Sequence, residues 1–128
     1  MTRLPLDPTG LAQATIAAIL APVVPMAILF GSASGPAMLL VVPCALLIGV
    51  AIAALHVLPL WLPAYLLLRH FGAMGWWQAG LLGFLCGGAP SYFIAFPASD
   101  ATPRGMFFGL CGVVGGLAFH WRLERDNL

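Results

Sequence analysis

The acidic side chains, which perform much of the acid–base and metal chemistry in proteins, all lie outside the long apolar runs of this sequence. They are Asp7, Asp100, Glu124 and Asp126. No Asp, Glu, Arg or Lys occurs in residues 8–68, 70–99 or 105–121. Paired-carboxylate and metal-assisted hydrolysis both need such groups close together, and the sequence contains no phosphate loop or zinc-binding helix motif. The sequence therefore predicts a protein that is not an enzyme.

His56 is the single residue with the most chemical potential. An imidazole can carry a proton, or it can ligate haem or another metal. It can also remain neutral and hydrogen-bond to a backbone carbonyl, such as one freed by Pro59. Its depth depends on whether the surrounding segment is one long helix, so both interpretations stay open. No metal or cofactor is predicted outside the hypothesis that His56 binds haem or a pigment.

Two further histidines, His70 and His120, fall close to the ends of apolar runs. We interpret them as boundary residues whose polar tips reach the interface, with a shared metal or haem site as the alternative. The three cysteines lie in separate apolar runs and form no Cys-x-x-Cys pair, so neither a disulfide nor a zinc site is predicted. They are Cys44, Cys86 and Cys111.

Pro90 interrupts an apolar run directly before two polar residues, Ser91 and Tyr92. A proline inside a helix removes one backbone hydrogen bond, and many transporters line their substrate sites with helices broken in this way. Ser91 and Tyr92 are therefore candidate ligand positions. A kink that serves only packing is the alternative.

Small residues recur on one face of three apolar runs. The last run has Gly105, Gly109, Gly112 and Gly116, and the run before it has Gly83, Gly87, Ser91 and Ala95. An earlier run has Ala45, Gly49 and Ala53. Small residues at this spacing allow helices to approach closely. We expect the third and fourth helices to pack tightly with the second against them, and one stripe is a candidate surface for a partner or a second copy.

The composition places the chain in lipid. Of its 128 residues 62% are hydrophobic and 7% charged, whereas a soluble domain carries about 25% charged residues. A domain this small cannot bury so much apolar surface, because its ratio of surface to volume is too high. The net charge of +1 gives no reason to expect a nucleic-acid partner, so the lipid bilayer is the predicted surrounding.

The apolar runs predict an all-α integral membrane protein with four transmembrane helices in a single domain, 1–128. About 20 apolar residues cross the hydrocarbon core as a helix, and the predicted spans are 11–30, 37–58, 76–96 and 103–121. Small and helix-breaking residues over Gly31–Pro36 predict the turn between the first two spans. Thr102 and Pro103 are the predicted cap and first residue of the last helix.

The basic residues predict that both termini face the cytoplasm. With four spans, one side holds Arg3, Arg69, Arg122 and Arg125, and the other holds only Arg104. Positive residues favour the cytoplasmic side. Aromatic residues are expected to gather at that boundary, namely Trp61, Tyr65, Trp76, Trp77 and Trp121. A signal peptide cleaved near Ala33 is the alternative to a retained first helix.

The absence of Lys and the abundance of Ala, Gly, Leu and Pro are typical of a GC-rich bacterial genome. The predicted location is therefore the bacterial inner membrane, with several passes.

The segment from Leu58 to Gly72 allows two interpretations. A single helix from Ala37 to Arg69 would be about 50 Å long at 1.5 Å per residue, which exceeds an ordinary crossing. We favour a crossing that ends near Leu58, followed by a short interfacial helix. One continuous helix, kinked at its prolines, is the alternative.

A longer pattern runs through much of the chain. It comprises His56, Pro59, Pro63, Arg69, Trp76-Trp77, Gly83-Phe84, Gly87, Pro90 and the closing Gly115–Phe119 stretch. In this pattern the chain resembles uncharacterised four-helix inner-membrane proteins of proteobacteria. The resemblance implies the four-helix topology and no particular activity.

Three functional hypotheses follow. The first is a non-catalytic accessory, assembly or immunity-type subunit that packs its helices against another membrane protein, because glycine-lined faces occur without embedded charge. The second is a small oligomeric transporter or channel that uses His56, Ser91 and Tyr92. The third is binding of haem or a pigment through His56.

Overall fold

The computed structural model describes residues 7–72, 74–95 and 97–125. Its α-helices are α1 (Pro8–Ser32), α2 (Met38–His56), α3 (Leu62–His70), α4 (Trp76–Ala95) and α5 (Ala101–Arg125). Every regular element in these ranges is helical. Three uninterrupted helical stretches are long and apolar enough to cross a membrane: Pro8–Ser32, Gly35–His70 and Ala101–Arg125. Arg3, Phe96 and Asp126, which enter the sequence predictions, lie outside the described residues.

The beginning and end of α1 follow from local chemistry. The carboxylate of Asp7 accepts hydrogen bonds from the backbone amides of Thr9 and Gly10, which the first helical turn leaves without partners. After Ser32, the chain reverses through a 3₁₀ turn at Gly35–Ala37. Gly35 adopts a φ of 55°, a conformation that glycine reaches without the steric penalty of a side chain. The predicted turn therefore lies where the sequence places it.

The α2 and α3 helices form one continuous helical stretch. A π turn at Val57–Trp61 joins them, and its closing bond runs from the amide of Leu62 to the carbonyl of Val57, five residues back. Pro59 and Pro63 cannot donate backbone hydrogen bonds, so the regular α pattern fails here and the chain adopts the wider turn. The expected separate interfacial helix is therefore wrong, and the alternative of one continuous helix is correct.

The helices pack in the spatial order α4, α5, α1, α2. The largest contact is between α4 and α5, followed by α1 with α5 and α1 with α2. The expectation that α2 packs against the last two helices is wrong. A Cβ atom on Gly49 of α2 would lie 2.8 Å from Val23 of α1, so this small residue of α2 meets α1 instead.

The core lies at one end of the bundle. Trp61 of the π turn, Tyr65 of α3 and Phe119 of α5 form an aromatic cluster whose ring centroids are 4.3–4.8 Å apart. Small residues on α1 and α4, including Ala14 and Ala79, are buried beside it and give the large rings room. Trp61 and Tyr65 are only 3% and 1% exposed, so they do not lie on the outer surface expected of boundary aromatics.

The first and last helices meet at this same end. Arg122, in the last turn of α5, donates a hydrogen bond to the side chain of Gln13 near the start of α1. The beginning of α1 and the end of α5 are thus neighbours. Trp76, Trp77 and Trp121, by contrast with Trp61, point outward and are more than half exposed.

Candidate functional site

The glycine stripes of α4 and α5 face each other inside the bundle. A Cβ on Gly112 would lie 2.0 Å from the carbonyl oxygen of Gly83, and one on Gly83 would lie 2.1 Å from that of Gly112. Real Cβ atoms are not found this close to a backbone oxygen. The two backbones can touch here because neither Gly83 nor Gly112 has a side chain.

The remaining glycines of the predicted face take part in the same contact. A Cβ on Gly87 would meet the carbonyl of Phe108 at 2.5 Å, and one on Gly116 would meet that of Ala79 at 2.4 Å. Gly109 lies under the ring of Phe84, and Gly105 lies against Tyr92. The stripes consequently do not form an outward surface for a partner.

Gly115 makes a contact that the sequence analysis did not identify. A Cβ at this position would lie 2.7 Å from the carbonyl oxygen of Ala18 on α1. Pro22 stands four residues after Ala18 and has no N–H to offer this carbonyl. The freed carbonyl instead faces the backbone of α5, where a glycine is required. The proline four residues after Ala18 is the only trace of this contact in the sequence.

Ser91 and Tyr92 lie in an unbroken helix. The α4 helix continues through Pro90, and the hydroxyl of Ser91 donates a 2.9 Å hydrogen bond to the carbonyl of Gly87. The side chain of Tyr92 contacts Gly105 and lies edge-on to the ring of Phe93. Neither residue lines the cavity described next, so the structure does not bring them together with His56.

A cleft of about 380 Å³ separates α2 from the rest of the bundle. It exists because α2 packs along α1 and not along α4 or α5, so residues of α2 form one wall of the cleft and residues of α4 and α5 form another. Its walls are almost entirely apolar and include Val23, Ala27, Ile48, Ala53, Cys86 and Phe108. Trp61, which packs on Phe119 of the aromatic cluster, also lines it.

His56 is a polar side chain in this otherwise apolar wall. It is the last residue of α2, directly before the π turn, and it lines the cleft. Its Nδ1 atom lies 2.7 Å from the carbonyl oxygen of Ile52. A carbonyl can only accept, so Nδ1 carries the hydrogen and Nε2 of the neutral ring keeps a lone pair. Among the described residues, Nε2 has no hydrogen-bond partner.

A second polar cluster, which the sequence did not predict, joins His120 to Tyr65 and Glu124. His120 of α5 is buried, at 5% exposure, and it bridges two partners. Its Nδ1 lies 2.9 Å from the hydroxyl of Tyr65, and its Nε2 lies 3.1 Å from the carboxylate of Glu124. The spacing of four between His120 and Glu124 was a visible signal. Tyr65, 55 residues away, was not predictable as the third member.

The alternative pairing of His70 with His120 does not form. His70 packs against the ring of its neighbour Phe71, while His120 is bound by Tyr65 and Glu124. Within the described ranges, no group of three potential metal ligands comes together. The cysteines also differ in environment, since Cys86 and Cys111 line the cleft and Cys44 is exposed.

Comparison with known proteins gives no relative for this architecture. No family model, no curated protein and no solved structure matches the chain.

Proposed function

We propose that this chain is a non-catalytic, multi-pass protein of the bacterial inner membrane that binds a lipophilic molecule in the cleft beside α2. In this proposal α1, the continuous α2–α3 helix, α4 and α5 all cross the bilayer. The end that holds Arg69, Arg122 and Arg125 faces the cytoplasm, in keeping with the preference of basic residues for that side.

The observation that carries the proposal is the cleft itself. Its volume of about 380 Å³ falls in the range of small-molecule sites, about 300–1,000 Å³. Apolar walls with a few polar groups, here the imidazole of His56 and the indole N–H of Trp61, are the usual composition of a ligand site.

Two variants of α2 test the proposal with a matched control. Ala53 lines the cleft, whereas Ala51 is exposed on the same helix. We expect native mass spectrometry of the protein, purified from its own membrane in mild detergent, to detect a retained lipophilic molecule. Ala53→Phe should abolish retention by filling the cleft, and Ala51→Phe should leave it intact.

The same preparation separates the proposal from its competitors. Equal ligand content in the two variants, or none in the unmodified protein, would refute binding in the cleft. A visible absorbance band lost in His56→Ala would identify the ligand as haem or a pigment. The ligand content and the absorbance spectrum are both measured on the purified protein, without reconstitution into a membrane.

Association with another membrane protein is the second candidate. The glycine stripes cannot bind a partner, because they are buried between α4 and α5. The helix that favours association is α2, since none of its residues is buried. A partner helix could lie along its outer faces, which carry Leu39, Leu47 and Leu55, each at least 70% exposed. Stoichiometric foreign chains in the purified particle, lost on Leu47→Arg, would support this candidate. A particle of this chain alone would exclude it.

A further inference from the structure

We infer that the molecule held in the cleft is a neutral lipid whose head carries a hydroxyl group, and that His56 recognises this hydroxyl through Nε2. The inference rests on the proposed function and specifies the chemistry of its ligand. Its basis is the hydrogen-bond pattern of one ring, the charge of the cleft walls and the length of the cleft.

The ring of His56 is held in one tautomer. Its Nδ1–H is committed to the carbonyl of Ile52 at 2.7 Å. In its neutral form the ring therefore presents only an acceptor, Nε2, to whatever enters the cleft. A hydroxyl satisfies this acceptor by donating its hydrogen. An ether or ketone oxygen cannot do so, because it has no hydrogen to donate.

The position of His56 makes this acceptor stable in one orientation. The residue ends α2 where the π turn begins, and the turn is imposed by prolines at positions 59 and 63. The ring is anchored one helical turn back, on Ile52. A recognition group fixed by its own helix loses little side-chain entropy when a ligand arrives.

The walls of the cleft contain no Asp, Glu, Lys or Arg among the described residues, and His56 is their one basic side chain. The next basic residue along the helix is Arg69, which is 13 positions from His56, or about 20 Å at 1.5 Å per residue. With the imidazole of His56 neutral, a phosphate or carboxylate head would be buried without a counterion, at a high cost in free energy. A neutral head avoids this cost.

The cleft follows α2 over much of its length. The lining residues of α2 and the π turn extend from Ala45 to Trp61, which corresponds to about 24 Å of helix. One leaflet of the hydrocarbon core is about 15 Å thick, half of about 30 Å. The cleft is thus long enough for an extended hydrocarbon tail: His56 lies about 17 Å from its Ala45 end and about 8 Å from its Trp61 end. An alkyl or isoprenoid alcohol has this shape.

The experiment uses Trp61 as an internal reporter. Trp61 lines the cleft, whereas Trp76, Trp77 and Trp121 are exposed. Replacing those three with Phe leaves Trp61 as the single indole. Its fluorescence is then titrated, in the full-length detergent-solubilised protein, with three brominated probes that share one tail: a long-chain alcohol, its methyl ether and the corresponding carboxylate. The control is a variant that keeps only Trp121, whose fluorescence measures quenching by probe molecules outside the cleft.

We expect the alcohol to quench Trp61 with an apparent affinity about tenfold higher than that of the methyl ether, which corresponds to one well-placed hydrogen bond. The carboxylate should bind more weakly than the alcohol. His56→Leu should remove the preference for the alcohol while tail binding remains. His56→Gln, which keeps a side-chain acceptor, should retain part of it.

The possible failures are distinguishable. Equal binding of alcohol and ether by the unmodified cleft, or tighter binding of the carboxylate, would overturn the hydroxyl inference and leave the cleft as a lipid site. Quenching of Trp61 no stronger than that of Trp121 for all three probes would overturn the proposed function as well. The comparison of alcohol with ether needs no substitution at His56, so it is independent of whether that variant folds.

Discussion

The hydroxyl of Tyr65 on α3 lies 2.9 Å from Nδ1 of His120 on α5, and both residues are buried. On the other side of the imidazole, Nε2 faces the carboxylate of Glu124 at 3.1 Å. An ionised carboxylate accepts only, so Nε2 carries a hydrogen; when the ring is neutral, Nδ1 accepts from the hydroxyl of Tyr65. The Tyr65–His120 bond joins the α2–α3 helix to α5, and the His120–Glu124 bond, which lies within α5, orients the imidazole.

Removing the hydroxyl of Tyr65 should destabilise the bundle. Tyr65→Phe keeps the ring between Trp61 and Phe119 but leaves Nδ1 of His120 buried without a donor. Such an orphaned group costs about 1–3 kcal/mol. The measurement is the free energy of unfolding in mixed micelles as denaturing detergent is added.

Glu124→Gln provides the comparison. The Glu124 side chain is 66% exposed, and exposed pairs contribute about 0–1 kcal/mol. The free energy of unfolding of the Glu124→Gln variant should therefore be close to that of the unmodified protein. If Tyr65→Phe were as harmless as Glu124→Gln, the buried hydrogen bond would not be what holds α3 to α5.

Two glycines on α4, three residues apart, should respond in opposite directions to substitution by alanine. In Gly83→Ala the new Cβ would meet a backbone oxygen at 2.1 Å, so α4 and α5 must separate. Overpacking of this kind costs about 1–3 kcal/mol. In Gly80→Ala the nearest atom is a Leu117 methyl carbon at 3.5 Å, an ordinary contact, and the higher helix propensity of alanine adds up to about 1 kcal/mol.

The same unfolding assay measures both glycine variants. If Gly83→Ala were as stable as Gly80→Ala, the backbone contact of α4 and α5 at Gly83 would be refuted.

The cysteines should report whether the cleft is occupied. In variants that keep one cysteine each, a lipid-soluble maleimide at alkaline pH, where the reactive thiolate forms, should label Cys86, Cys111 and the exposed Cys44. Addition of a lipid that enters the cleft, or the Ala53→Phe substitution, should slow labelling of Cys86 and Cys111 severalfold, because both line the cleft. Cys44 should be unaffected. Equal slowing at all three positions would indicate an effect on the micelle and count against a specific site.

The N-terminal cap of α1 should be lost at low pH. The hydroxyl and backbone amide of Thr9 donate to the carboxylate of Asp7 and hold its pKa below the usual value. Because the pKa is lowered on folding, the ionised cap stabilises the helix above the pKa of the unfolded chain. That contribution disappears as the pH falls through the lower pKa of the folded state.

Hydrogen exchange checks this cap directly. Protection of the Thr9 and Gly10 amides, corrected for intrinsic exchange, should decrease as the pH is lowered through this acidic range. Asp7→Asn should make the protection independent of pH there, since the amide does not titrate. A flat profile in the unmodified protein would mean that the Asp7 carboxylate does not cap α1.

The sequence by itself determined the helical class and most helix positions, because these depend on local properties. Hydrophobic runs, helix breakers such as Gly35 and the charges between runs act over a few residues and can be read directly. The close spacing of the glycines on α4 and α5 was equally visible. That these two stripes would face each other was decided by packing.

Only the tertiary structure decided which helices are neighbours and what lies between them. Gly49 allows α2 to pack closely against any neighbouring helix. In the structure it packs against Val23 of α1 and not against α4 or α5. That choice leaves the cleft open and places His56 on its wall. Likewise, Tyr65 and His120 are distant in sequence, and their hydrogen bond exists because α3 continues α2 through the π turn and reaches α5. Such partners depend on contacts between distant segments, which no local pattern specifies.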